Sequence, residues 1–269
     1  MTRPLPLAAL AVLTLTASML VAPGDLVAQD SAARGLAIAR DAKQRDTGYG
    51  DFTAKAKMVL RNAQGQTTTK EMDIRVLEAA GGVGEKSLTL FTSPADTAGT
   101  VLLSHSFKTK SDDQWLYLPS IKRTKRIASG NKSGSFVGSE FSYEDISPQQ
   151  VEKYTYKYIK DDTYSNQPCH VVERYPTDPK SGYTKQVIWM DTAHLRPLKV
   201  ENYDRKNSLL KTLAAGGYKQ YLDQYWRPTS ARMINHQTGK STDIIYSAYQ
   251  FRTGLDESDF DESRLERLR

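Results

Sequence analysis

From Tyr49 onward, apolar and polar residues alternate with a period of two. In "DFTAKAKMVLRN", Phe52, Ala54, Ala56, Met58 and Leu60 share one face, and Thr53, Lys55, Lys57 and Val59 take the other. "NAQGQ" is a hairpin turn, and "TTTKEMDIRVLEA" returns with Met72, Ile74 and Val76 on one side. "GGVGE" turns again into "KSLTLFTSP", and "PADTAG" leads to "TVLLSHSF". The second half repeats the pattern in "KYTYKYIKDD", "QPCHVVERYP", "YTKQVIWMD", "LRPLKVENYD", "LLKTLAAGGYKQY", "YWRPTSARMINHQ" and "STDIIYSAYQF". The pattern predicts a mainly β protein: one antiparallel meander of about 11 strands. A sheet of that size must curl or close. Small Ala54 and Ala56 beside Phe52 and Met58 leave room inside a curved sheet, although a fully filled sandwich core has the same composition.

Two segments depart from this period. "DSAARGLAIARDAKQRD" (Asp30 to Asp46) has helical spacing through Ala33, Leu36, Ala37 and Arg40, with Ser31 as its cap. The tail "DESDFDESRLERLR" reads as a short helix with acids at its N-terminal end.

The first residues set the compartment. Arg3 precedes an uncharged apolar run from about Leu7 to Ala22, and small and turn-forming residues follow. This is the layout of a secretory signal peptide, here residues 1–28, with cleavage after Ala28 and Ala22 as the alternative site. An uncleaved anchor is the other reading, but the run is short of the ~20 residues of a spanning helix. No cysteine lies near the cleavage site, so the chain is not itself a lipid-anchored lipoprotein. Residues 29–269 are read as one domain, expected in an exported compartment. Removing the signal takes Arg3 and Asp25 together, so the net charge stays at +6. The single cysteine, Cys169, excludes an intramolecular disulfide and reads as a small buried strand residue.

Candidate chemistry is sparse. "GGVGEKS" (Gly81 to Ser87) lacks the Gly before Lys-Ser that a phosphate loop needs and lies between strands, so it reads as a turn. His105, His170, His194 and His236 have no metal-site spacing. Ser104–His105 and Cys169–His170 are strand neighbours whose side chains point to opposite faces. No catalytic residue, metal or cofactor is assigned, and the chain is not read as an enzyme.

"KRTKR" places Lys122, Arg123, Lys125 and Arg126 within five residues. In an exported protein the polyanions within reach are phospholipid headgroups, lipopolysaccharide or acidic faces of membrane proteins, not nucleic acid. As a strand, the run splits its cations: Lys122 and Arg126 on one face, Arg123 and Lys125 on the other. It equally suits a solvated edge strand whose cations block edge pairing. The next segment, "ASGNKSGSFVGSEFSYEDIS", embeds Phe136, Phe141 and Tyr143 among Gly and Ser and reads as a flexible lid, with a capping-box spacing at Ser142 and Asp145.

"WLYLPSIKRTKRIASGNKSGSFVGSEFSYEDIS" resembles the signature segment of the outer-membrane lipoprotein-sorting protein family, a LolA-like group of periplasmic proteins. "LRPLKVENYDRKNSLLKT" and "NHQTGKSTDIIYSAYQFRTGLDESDFDESRL" are similar to its C-terminal part. The resemblance implies an incomplete, half-open β-barrel with helices over its mouth. It also implies a cavity for acyl chains, a role in carrying lipids or lipoproteins between membranes with transient membrane-surface contact, and companionship with an RND-type (MMPL-like) transporter. A transporter accessory that holds no lipid is the alternative, and a periplasmic enzyme acting on lipid is a third. Alternation then nominates Phe52, Met58, Leu60, Met72, Ile74, Val76, Leu102, Trp115, Tyr117 and Trp189 as cavity lining, and Phe136, Phe141 and Tyr143 as lid. Lys122, Arg123, Lys125 and Arg126 are nominated to meet anionic headgroups or a partner.

N-terminal sequencing of the exported protein is expected to begin at Gln29. A start at Pro23 selects the alternative site, and an intact N-terminus in a membrane fraction rejects cleavage.

Overall fold

The computed structural model describes residues 23–79 and 84–268. The apolar run of the signal peptide and most of the "GGVG" turn lie outside the described residues. The described chain is mainly β. Its principal sheet has 13 strands in the order β6 (Arg123–Arg126), β5 (Asp113–Leu118), β4 (Val101–His105), β3 (Glu85–Ser93), β2 (Thr67–Glu78), β1 (Asp51–Arg61), β15 (Ser241–Phe251), β14 (Ser230–Asn235), β11 (Leu209–Gly216), β10 (Pro197–Tyr203), β9 (Lys185–Asp191), β8 (Gln167–Pro176) and β7 (Tyr154–Tyr164). Every pairing is antiparallel, and β6 and β7 remain unpaired edges, so the curved sheet is an open barrel. The first and last strands, β1 and β15, pair near its centre.

The described residues form 15 strands against the expected 11: two predicted runs are each broken in two, and β5 and β6 add the other two. "LLKTLAAGGYKQY" turns at Gly217, whose φ of +64° is open to glycine at little cost, and yields β11 and β12 (Lys219–Tyr221). "YWRPTSARMINHQ" breaks at Pro228 into β13 (Tyr225–Arg227) and β14. β12 and β13 form a separate hairpin.

Register defines the concave face. Ala56 lies opposite Met72 and Tyr246, Met72 opposite Phe91, and Thr89 opposite Leu102. On the other side Ile244 meets Ala231, Ala231 meets Ala215, and Leu213 meets Val200, which in turn meets Ile188. Met58, Met72, Phe91, Leu102, Met233 and Ile244 from this face bury Phe136 and Phe141 of the segment beyond β6. Removing a phenylalanine buried like Phe136 costs ~3–5 kcal/mol. The convex face of β3–β5 carries a second cluster, in which Leu88, Leu90, Val101, Leu103 and Tyr117 are covered by Phe260 and Leu265. These come from the tail, which forms two 3-10 turns (Glu257–Phe260 and Glu262–Arg267) started by Asp256 and Asp261, not a single short helix.

The N-terminal helix α1 (Pro23–Arg45) is longer than the expected segment. Its buried face is also rotated. Ala33, Ala37 and Arg40 are exposed, while Gly35 is buried and Ile38 and Ala42 pack against Ile188, Met190, Leu195 and Val200. Gly35 sets this rotation, because a Cβ there would lie 2.7 Å from the Tyr158 backbone nitrogen of β7. Arg34 then lies over the Tyr158 ring at 3.6 Å.

Gly35→Ala is expected to push α1 off β7 and cost ~1–3 kcal/mol by overpacking. Urea unfolding measures it, and an unchanged midpoint would show that α1 does not depend on this crossing.

Candidate functional site

The concave face is roofed but not filled. Over β1–β3 and β11–β15 lies a cavity of about 460 Å³, walled by Phe52, Ala54, Met72, Ile74, Val76, Thr89, Leu213, Ala215, Ala231, Ile244, Tyr246 and Tyr249, with Phe136, Phe141 and Ile146 as roof. The space follows from small residues on the sheet: Ala215 faces Ala231, and Ala54 leaves room beside Ile74. A second cavity of about 570 Å³ separates α1 from the other half of the sheet, between Ala39 and Ala42 on the helix and Tyr156, Val172, Ile188, Met190 and Leu195 below. A smaller space of about 190 Å³ lies beside both, against Ile188, Val200 and Leu213.

The wall between the larger two is polar, and Arg45, Arg196 and Asp223 also line the second while Asp145 and Arg227 line the first. Asp46, Glu85, Pro197, Tyr218 and Trp226 wall both. Lys43 of α1 pairs with Glu85 of β3, and Asp46 pairs with Arg227 of β13. Arg227 also lies 5.0 Å from the Tyr49 ring centre and 5.1 Å from that of Phe52. Burial holds the Glu85 carboxyl above its ordinary range and outweighs the opposing Lys43 ammonium. Burial raises Asp46 in the same way against Arg227. The Tyr218 hydroxyl donates to the Pro197 carbonyl at 2.6 Å. The Tyr246 hydroxyl, pushed up to about 12 by burial, has no hydrogen-bond partner among the described residues.

The structure sorts the expected residues into three groups. Phe52, Met72, Ile74, Val76, Phe136 and Phe141 line the first cavity. Met58, Leu60 and Leu102 lie on the same face but pack in the core under Phe136 and Phe141, and Tyr143 packs on that core from the plug itself, all away from the space. Trp115, Tyr117 and Trp189 are corrections, because they point to the convex side. Trp115 and Tyr117 pair with Leu103 and Val101 and belong to the cluster under the tail. Trp189 lies opposite Lys199, whose ammonium sits 3.4 Å from its ring centre, and donates to Asp162 at 3.2 Å.

The Gly/Ser segment is seated on the concave face as a plug. Glu140 binds Thr242 through its amide (2.9 Å) and Asn235 through its carboxylate (2.7 Å), and Lys70 donates to the Val137 carbonyl at 2.8 Å. Ser142 and Asp145 form the expected capping box on α2 (Tyr143–Ile146). In the basic run, β6 is exposed along its length; Arg123 and Lys125 share a face, and Arg126 on the other pairs with Asp113. Lys122 lies in the turn before the strand, at φ 47°.

Residues from β11 to β15 were not anticipated. Alternation in "STDIIYSAYQF" would have found Ile244 and Tyr246. It would have missed Tyr249, which reaches the cavity only because Ala248 takes a φ of 52° where the β1–β15 register shifts.

Comparison with known proteins places this geometry. A family model described as "Uncharacterized protein" matches residues 84–267. The crystal structure of an outer membrane lipoprotein-sorting protein domain from Vibrio parahaemolyticus is 53% identical, covers 88% of this chain and 100% of that one, and superposes with a TM-score of 0.86. A DUF1329 family protein from Desulfovibrio piger is 29% identical, with 87% and 99% coverage and a TM-score of 0.83. A LolA superfamily protein from Nitrosomonas europaea, 19% identical with 85% and 98% coverage, shares the fold at a TM-score of 0.68. No curated protein sequence matches significantly.

The raised Glu85 carboxyl gives a signed pH dependence. Its contribution to stability is greatest below its ordinary pKa of 4.5 and is lost as pH rises through the folded value. The unfolding free energy of Glu85→Gln, relative to wild type, is therefore expected to increase from pH 4.5 toward 7 in urea titrations. A difference that falls over this range would show that the Lys43 pairing outweighs burial.

Proposed function

The chain belongs to the outer-membrane lipoprotein-sorting protein family, and we propose that it is a periplasmic carrier that holds the acyl chains of a lipid or lipoprotein while moving them between membranes. The observation that carries this reading is the roofed, unfilled cavity on the concave face, walled by Phe52, Ile74, Val76, Leu213 and Ile244. Each methylene of a lipid tail exposed to water costs ~0.8 kcal/mol, so a carrier must offer apolar wall to most of a chain. An open barrel supplies that wall without closing off the exit.

Export by the N-terminal signal and partnership with an RND/MMPL-type transporter complete the proposal. The likeness to the lipoprotein-sorting domain supports export, and the transporter partnership rests on the resemblance read in the sequence alone. The exposed Arg123 and Lys125 on β6, with Lys122 and exposed Ile121 in the turn before it, supply a docking edge for anionic headgroups or for that transporter. We read the protein as a carrier and not as an enzyme.

Protein purified from its periplasm is expected to release lipid in native mass spectrometry, and delipidated protein to take up a fluorescent acyl probe. Ile74→Asp should abolish uptake, while Trp189→Ala on the convex side should leave it unchanged. A folded wild-type protein with neither co-purified lipid nor uptake would overturn the carrier reading.

A further inference from the structure

Two cavities with largely apolar walls are similar in size, about 460 and 570 Å³, and each lies within the ~300–1,000 Å³ of ordinary ligand pockets; a third of about 550 Å³ is lined by Lys110, Asp112, Lys132, Lys153 and Asp178 and is polar. The two apolar cavities differ in what builds them. The first lies between the plug and the β1–β3 and β11–β15 strands, and the second between α1 and the β7–β10 strands. Their common wall is polar: Asp46 and Glu85, each in an ion pair, with Tyr218 and Trp226. A single acyl chain laid through both would have to pass its methylenes over those ion pairs, which gives up apolar contact where most is needed. A ligand with two tails and a polar junction has no such conflict.

The unused donors fit the same ligand. The Tyr246 hydroxyl and the Trp226 indole N–H have no hydrogen-bond partner among the described residues, and both rings wall the first cavity, Trp226 the second as well. Ester carbonyls accept hydrogen bonds without donating, so they satisfy such donors and leave no new unpaired group.

Resting on the carrier reading, we infer that the protein takes a two-chain ester lipid, with one acyl chain in each cavity and the ester junction at the Asp46–Glu85–Trp226 boundary. Ala39 on α1 faces only the second cavity and Ala54 on β1 only the first, so the two can be blocked separately.

The test is native mass spectrometry on delipidated protein with palmitate and with dipalmitoyl-phosphatidylglycerol. Expected are two palmitates per chain, both displaced by one molecule of the diacyl lipid. Ala39→Trp and Ala54→Trp should each lower the palmitate stoichiometry from two to one and weaken diacyl binding at least tenfold. Ala215→Phe replaces Ala54→Trp if the latter does not fold. One palmitate per wild-type chain would overturn the two-chain assignment and leave the carrier reading standing. Two palmitates of which the diacyl lipid displaces one would show two independent single-chain sites, and would also overturn it. Binding of neither probe would remove the carrier reading itself.

Discussion

A thirteen-stranded sheet that does not close leaves an apolar concave face, and burying that face is the constraint on which the remaining structure depends. A closed barrel would bury it against itself. Here the chain returns to its own interior instead, and Phe136 and Phe141 enter the cluster formed by Met58, Met72, Phe91 and Ile244. The hydrophobic term is non-directional, so it explains why something must sit there but not which segment. Direction comes from polar contacts at the rim of the plug, where Glu140 meets Thr242 and Asn235 and Asp145 accepts from Tyr183.

A second set of contacts spans the gap between the β6 and β7 edges. Lys132 pairs with Asp178 at 2.7 Å, and Lys153 pairs with Asp112. Glu144 accepts from the Ser181 hydroxyl and the Gly182 amide at 2.8 Å each, and the Tyr183 hydroxyl reaches Asp145 at 3.0 Å. The plug is therefore tied to both halves of the sheet. α1 spans the opening in the same manner: Gly35 lies on β7, while Lys43 reaches Glu85 on β3. What remains between these two bridges is the pair of cavities.

Much of this was legible in the residues. Alternation in β1 and β2 assigned Phe52, Ala54, Ala56, Met72, Ile74 and Val76 to one face, and the structure puts them together. It failed at β5 for a physical reason. Both faces of "WLYLP" are apolar because both are covered, Leu116 by the plug cluster and Tyr117 by the tail. A strand buried on both sides carries no period to read. Trp189 misled differently, as a large ring kept on the solvent side by Lys199 and Asp162. The contacts of the plug were not legible because its partners, Thr242 and Asn235, lie about a hundred residues away.

The pairing of β1 with β15 bears on how the chain reaches this state. Emerging from its N-terminus, it can assemble β1 to β6 as one run of hairpins and β7 to β11 as another, both rich in local contacts. The two runs join through β14 and β15, the last strands to appear. Closing a loop that spans the whole domain is entropically costly and slow. Until it closes, β1 is a bare edge beside an uncovered apolar surface, open to a holding partner and to aggregation alike.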